Sequence, residues 1–269
     1  MTETTPLWEP SDLRIAQSNL QKFMGMVNTR TRMNFSNYRS LYDWSINNSE
    51  SFWRALIDFS QLRASSWGDK TLVDGGKMPG AQWFPDAKLN YAENMLCKSD
   101  DSAAIVFRNE NGLSRTLSWQ ELTQQVATLS NALRNFGIQP GDRVAAIAPN
   151  IPETIIWFLA TVSVGGIWSS CSPDFGTDGV LDRFSQIAHR ILVTCDGYSY
   201  NGKRYQVLDK LATILDRLPD VEMCVVIPYA SSDPLVTPLK NTILFDDLIA
   251  GSQTGHTIFE QLPFSLEYQ

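Results

Sequence analysis

The sequence is short of positive charge, histidine and long apolar runs, and each shortage removes a class of function. Lysine and arginine number 22 against 29 acidic residues, a net charge of −7. Nucleic acids and anionic membranes are held by clustered positive charge, so neither is expected as a partner. The most apolar window, Ile155 to Trp168, has 14 residues and is interrupted by Thr161, Ser163, Gly165 and Gly166. A membrane-spanning helix needs about 20. The two histidines, His189 and His256, stand far apart, and Cys97, Cys171, Cys195 and Cys224 show no CxxC spacing. No metal site or disulfide framework is expected, and the thiols read as small buried hydrophobes. The start, MTETTPLWEP, carries no basic and no apolar signal region, which points to the cytoplasm (cytosol).

Several catalytic signatures are also missing. There is no GxGxxG, no GxxxxGK[ST] and no GxSxG. Asp174-Phe175-Gly176 spells the kinase magnesium motif, but the HRD segment and the Gly-rich loop are absent, so it reads as a turn entering a helix. His189 lies between a helix and a strand with no nucleophile to serve, which makes it structural.

What is present is a globular chain. At 269 residues and 43% apolar content it can bury a large core, as one large domain or a domain with an extension. Residues 1–97 are rich in Trp, Asn and Ser with weak periodicity. Within them Ser51 to Phe59 reads as a short amphipathic helix, because Phe52, Leu56 and Phe59 share a face. Lys70 to Lys88, with Gly75-Gly76 and Pro79-Gly80, reads as loop.

Residues 98–269 are more regular. Ala104–Arg108 and Leu113–Leu117 form a hairpin about Asn111-Gly112. Ser118 to Phe136 is a helix with Leu122, Val126, Leu129, Leu133 and Phe136 on one face. Ser118 and Glu121 make a capping box, and Gly137 ends it. Val144–Ala148 is an apolar strand and Pro152–Val164 a buried helix. Strand Ile167–Cys171, helix Thr177–Ile187, strand Arg190–Cys195, helix Val207–Leu218 and strand Val221–Ile227 follow. This alternation predicts an α/β fold, a mostly parallel sheet with flanking helices. Ligands bind such sheets beyond the carboxyl ends of the strands, so the loops after Ala148, Cys171 and Cys195 are where chemistry is sought.

Two features leave alternatives open. Gly165-Gly166 either stops a helix or admits a ligand close to the backbone. Asp196 to Lys203 (DGYSYNGK), with Arg204 and Lys210 nearby, is either an exposed turn or a site for a phosphate-bearing ligand.

Several segments in order resemble the AMP-forming acyl-CoA synthetases, within the adenylate-forming superfamily. They are Trp83-Phe84-Pro85, Leu89-Asn90-Tyr91-Ala92-Glu93-Asn94, Gly141-Asp142-Arg143-Val144-Ala145 and Asn150-Ile151-Pro152-Glu153-Thr154, then Gly165 to Gly176 and Asp196 to Lys203. The wording SSCSPDFG and DGYSYNGK is most similar to the acetoacetyl-CoA synthetases of that family. The resemblance runs from Leu7 to Phe264 and implies the N-terminal part of a ligase's large domain, preceded over 1–97 by the family's N-terminal extension.

It implies a ligase reaction in two steps, of the kind used in ketone-body and lipid metabolism. ATP and acetoacetate give an acyl-adenylate and pyrophosphate with Mg2+, and coenzyme A then displaces AMP. By position, Tyr200 and Lys203 fall on the family's RxxR pair at the coenzyme A site, with Asn201 and Gly202 between them. Pro173 to Gly176, with Phe175, takes the place of the GGFS turn beside the thiol-bearing arm. The family's Ser/Thr-Gly-rich phosphate loop does not follow Phe264, and no residue is cast as a catalyst of adenylation. The expectation is an N-terminal fragment that is inactive alone, with Ser265 to Gln269 a tail foreign to the family. The alternatives are a non-catalytic coenzyme A-binding or interaction module, and a fragment of an acetate- or propionate-type ligase. The oligomeric state is left open.

Overall fold

The computed structural model describes residues 7–252 and 255–264. The tail at Ser265–Gln269 lies outside these. The chain divides into two compact units, Met1–Ala87 and Lys88–Gln269.

In the first unit the residues read as weakly periodic form four helices. These are α1 (Asp12–Ala16), α2 (Asn19–Thr31), α3 (Tyr38–Asn47) and α4 (Ser49–Ser60). The starts are written in the sequence as caps: the Ser11, Ser18 and Asn37 side chains each accept from a backbone N–H of the first turn. The apolar stripes are narrow, and aromatic pairing fills the space between helices. The Phe23 ring meets Phe52 and Phe59 edge-on at 5.9 and 5.3 Å. Phe52, Leu56 and Phe59 face the cluster of Phe23, Val27, Leu41 and Trp44, as their spacing predicts. The segment expected to be pure loop contains a short antiparallel pair, β1 (Leu72–Val73) with β2 (Gln82–Trp83). It is fastened by Arg54, which donates to Thr71 Oγ1 at 2.8 Å and to the Gly68 carbonyl at 2.9 Å.

The second unit starts with β3 (Lys88–Leu89) and α5 (Tyr91–Met95), then the hairpin β4 (Ala103–Arg108) and β5 (Ser114–Ser118). Helix α6 (Trp119–Phe136) carries the expected capping box, and Gly137 closes it at φ 93°. There follow β6 (Arg143–Ile147), α7 (Pro152–Ser163), β7 (Ile167–Cys171), α8 (Thr177–Phe184) and β8 (Ile191–Cys195). After them come β9 (Gly197–Tyr200), β10 (Lys203–Gln206), α9 (Leu208–Asp216), β11 (Met223–Ile227), β12 (Thr242–Leu244), α10 (Phe245–Ala250) and β13 (Leu262–Pro263). Helix α8 stops at Phe184, three residues short of the expected Ile187.

Five strands form one parallel sheet in the order β12-β11-β8-β6-β7. Alternate residues of each strand enter opposite layers. Val144, Ala146, Ile191, Val193 and Val225 pack under α6, α7 and α10. Ala145, Ile147, Leu192, Cys224 and Val226 pack against α8 and α9. Both faces of the central strands are therefore covered, which is why β6, β8 and β11 are almost continuously apolar.

The packing decides between the readings of Gly165-Gly166. A Cβ on Gly166 would come within 2.9 Å of Thr161 Cγ2, and one on Gly165 within 3.2 Å of Glu260, Leu262 and Pro140 side-chain atoms. Gly165 also has φ 80°. The glycines end α7 and let the chain's own atoms pack closely.

Candidate active site

Strands β6 and β8 are neighbours, but their onward connections leave in opposite directions, to β7 on one side and β11 on the other. Such a switch point opens a crevice at the carboxyl ends of the strands. A cavity of about 650 Å³ lies there. Its wall is built from the ends of four strands: Pro149 and Asn150 after β6, Ser172 to Gly176 after β7, the β9–β10 hairpin after β8, and Tyr229 after β11.

The loop expected at Asp196–Lys203 is a hairpin, β9 against β10. Its signal was in the sequence: Asn201-Gly202, between two runs of alternating residues, is a strong two-residue hairpin turn. Asn201 and Gly202 take φ 52° and 72°, the left-handed values that turn requires. Tyr198 and Tyr205, cross-strand partners, stack at 5.1 Å and 15° and line the cavity. Burial raises the Tyr198 pKa, keeping its phenol protonated.

Of the candidate residues, Phe175, Gly176 and Tyr200 line this cavity. Asn201, Gly202 and Lys203 sit at the exposed tip of the hairpin above it. Tyr200 and Lys203 face each other across the turn.

Three further residues shape the wall: Asp196 and Lys210, which the sequence offers only as part of and near the candidate phosphate loop, and Arg183, which it does not single out. Asp196 is buried, and its Oδ1 accepts from the Tyr229 and Ala230 N–H groups at 2.8 Å each. It ties the base of the hairpin to the end of β11. Lys210, on α9, directs its ammonium inward to the carbonyls of Pro173 and Phe175, at 2.7 and 2.6 Å. Desolvation lowers its pKa. The Arg183 guanidinium lies 4.0 Å from the centre of the Phe175 ring. The Pro173–Gly176 turn is thus held by two cations from α8 and α9.

No cysteine or histidine supplies a nucleophile here. Burial pushes the Cys171 thiol up to about 11 and the Cys195 thiol up to about 12. His189 is buried against the Phe184 ring in the α8–α9 layer. Among the described residues, no group of three or more His, Cys, Asp and Glu is placed to hold a metal ion. No helix among them is long and apolar enough to cross a membrane.

The fold and cavity define a doubly wound α/β domain with a ligand crevice at its switch point, walled by tyrosines and a clamped turn. Comparison with known proteins gives the family. A family model described as "AMP-binding enzyme" matches residues 93–243, and one described as "Acetyl-coenzyme A synthetase N-terminus" matches residues 38–95. The chain belongs to the AMP-binding enzyme family. It is 44% identical over 265 residues to the acetoacetyl-coenzyme A synthetase of Rhizobium meliloti (strain 1021), covering 98% of this chain and 40% of that protein. It is 36% identical over 272 residues to the acetoacetyl-CoA synthetase of Gallus gallus, with the same coverage. A malonamoyl-CoA synthetase of Penicillium aethiopicum is 34% identical, over 96% of this chain and 37% of that protein. The solved acetoacetyl-CoA synthetase from Streptomyces lividans superposes with a TM-score of 0.89 at 36% identity, over 97% of this chain and 40% of that one. The chain thus spans about 40% of the length of these relatives.

Proposed function

We propose that the chain forms the N-terminal part of an acetoacetate–CoA ligase and carries one wall of its coenzyme A site. The whole reaction would join acetoacetate to coenzyme A with ATP and Mg2+, releasing AMP and pyrophosphate, in the cytosol. Residues 98–269 would be part of the AMP-binding domain, and residues 1–97 the extension before it. The observation that carries this reading is the make-up of the cavity. Both segments with wording specific to acetoacetyl-CoA synthetases, SSCSPDFG and DGYSYNGK, meet in its wall.

The chemistry of the wall supports a coenzyme A ligand. Tyr198, Tyr200 and Tyr205 offer aromatic surface to a nucleotide base. Lys203, with Asn201 and Gly202 beside it, offers a point charge to a phosphate in an otherwise acidic chain. Phe175 and Gly176 line the same cavity, where the thiol-bearing arm would run. No Ser/Thr-Gly-rich loop ending in Pro-Lys occurs in the 269 residues, so the chain alone should not form the adenylate.

Calorimetric titration of the chain with coenzyme A tests the reading. Binding is expected, and Lys203→Ala should weaken it roughly five- to tenfold, the scale of one lost charge-assisted hydrogen bond. With dephospho-coenzyme A the same variant should make little difference. No heat at saturating coenzyme A would refute the site. Acetoacetate-dependent ATP–pyrophosphate exchange by the isolated chain would refute its inactivity.

A further inference from the structure

The tip of the β9–β10 hairpin is held by a different hairpin. Glu110, in the turn between β4 and β5, lies 91 residues before Asn201. The Asn201 N–H donates to its Oε2 at 2.9 Å, and the Gly202 N–H to its Oε1 at 3.0 Å. Beside it, Asn111 Nδ2 donates to Ser199 Oγ at 2.8 Å, and Asn109 Nδ2 to the Tyr229 hydroxyl at 3.1 Å. Three consecutive residues of one turn thus bond to the cavity's hairpin and to Tyr229.

We propose that Glu110 is a positioning residue for the coenzyme A surface, acting by locking the Asn201-Gly202 turn and with it Lys203 and Tyr200. The inference rests on the coenzyme A reading above. The physical case is that, among the described residues, β9 and β10 pair only with each other and join no larger sheet. A lone two-stranded hairpin is marginally stable in water. Lys203 follows Gly202 in the chain, and Tyr200 is its cross-strand partner. Without an outside anchor neither side chain would keep a fixed place. Carboxylate-to-amide hydrogen bonds are of the stronger, charge-assisted kind, and Glu110 makes two. The lock also changes what Asn201 and Gly202 can do. Their N–H groups are taken by an internal anion, so in this arrangement they position Lys203 and do not bind a ligand phosphate themselves.

The lock and the coenzyme A site can be tested separately on the whole chain. Hydrogen–deuterium exchange of a peptide covering 198–206 reads the lock. Calorimetric titration with coenzyme A reads its use. Glu110→Ala should speed exchange in that peptide and weaken coenzyme A binding about fivefold, with little change in melting temperature because Glu110 is exposed. Glu110→Gln, which keeps one neutral acceptor, should fall between the two in both measurements. Unchanged exchange in Glu110→Ala would overturn the proposal, whatever its affinity. Tighter coenzyme A binding would overturn it too, showing Glu110 to be a repelling neighbour of the ligand. If the wild-type chain binds no coenzyme A, the site reading fails, while the exchange comparison still judges the lock.

Discussion

Lys210 keeps its ammonium on two backbone carbonyls, where a surface lysine would face water. Removing it leaves the Pro173–Gly176 turn without its anchor on α9. Lys210→Met should cost about 1–3 kcal/mol in urea unfolding, the usual cost of unpairing buried polar groups, and Lys210→Arg should restore part of it. The cysteines differ in the opposite sense. Cys97 is exposed, whereas Cys171, Cys195 and Cys224 are buried with thiols raised by desolvation, the last two to about 12. Iodoacetamide at pH 8 should label Cys97 alone in the folded chain, as read by peptide mass spectrometry. His189 gives a pH dependence. Burial lowers its pKa from 6.5 to about 4, so the fold favours the neutral ring. Above pH 6.5 the ring is neutral in both states and contributes no slope. As pH falls from 6.5 towards 4, the unfolded chain takes up a proton that the fold refuses, and stability drops by about 3 kcal/mol in all. His189→Phe should flatten that part of the stability–pH curve, and an unchanged curve would show another group to be responsible.

At the scale of elements, most helices and strands were legible, because periodicity and capping are local. Ser118, Glu121 and Gly137 bound α6, and the apolar run Val144–Ile147 marks β6. Of the N-terminal helices only α4 is legible, through Phe52, Leu56 and Phe59; α2 buries only Phe23, Met24 and Val27 among its 13 residues, too narrow a stripe to stand out. The β9–β10 hairpin was hidden for a different reason. Its alternation is polar and aromatic, with little apolar contrast, so only Asn201-Gly202 betrays it. Two glycine substitutions there should separate conformation from crowding. Gly202→Ala has open space for its Cβ and suffers only the left-handed φ, about 1 kcal/mol. Gly197→Ala places a Cβ 2.6 Å from the Tyr205 carbonyl oxygen, so the hairpin must shift. Calorimetric melting with coenzyme A titration should show Gly197→Ala as the more damaging of the two.

At the scale of the molecule, β7 and β12 end the sheet with edges that no strand covers among the described residues. Beside β7, a groove of about 510 Å³ is floored by Ile155, Phe158 and Trp168. Open edges next to apolar surface favour association between chains. The chain expressed alone is therefore expected to self-associate or need chaperones, as seen by light scattering after gel filtration. A monomer that melts cooperatively would contradict this. The sequence by itself determined the α/β class, the strand and helix order and the family wording, since these rest on near neighbours along the chain. Only the tertiary structure decided that SSCSPDFG and DGYSYNGK share one cavity, that Lys210 points inward and that Glu110 reaches the Asn201-Gly202 turn. The last two are contacts across 35 to 92 residues, and all three are set by strand order at the switch point, which no local pattern specifies.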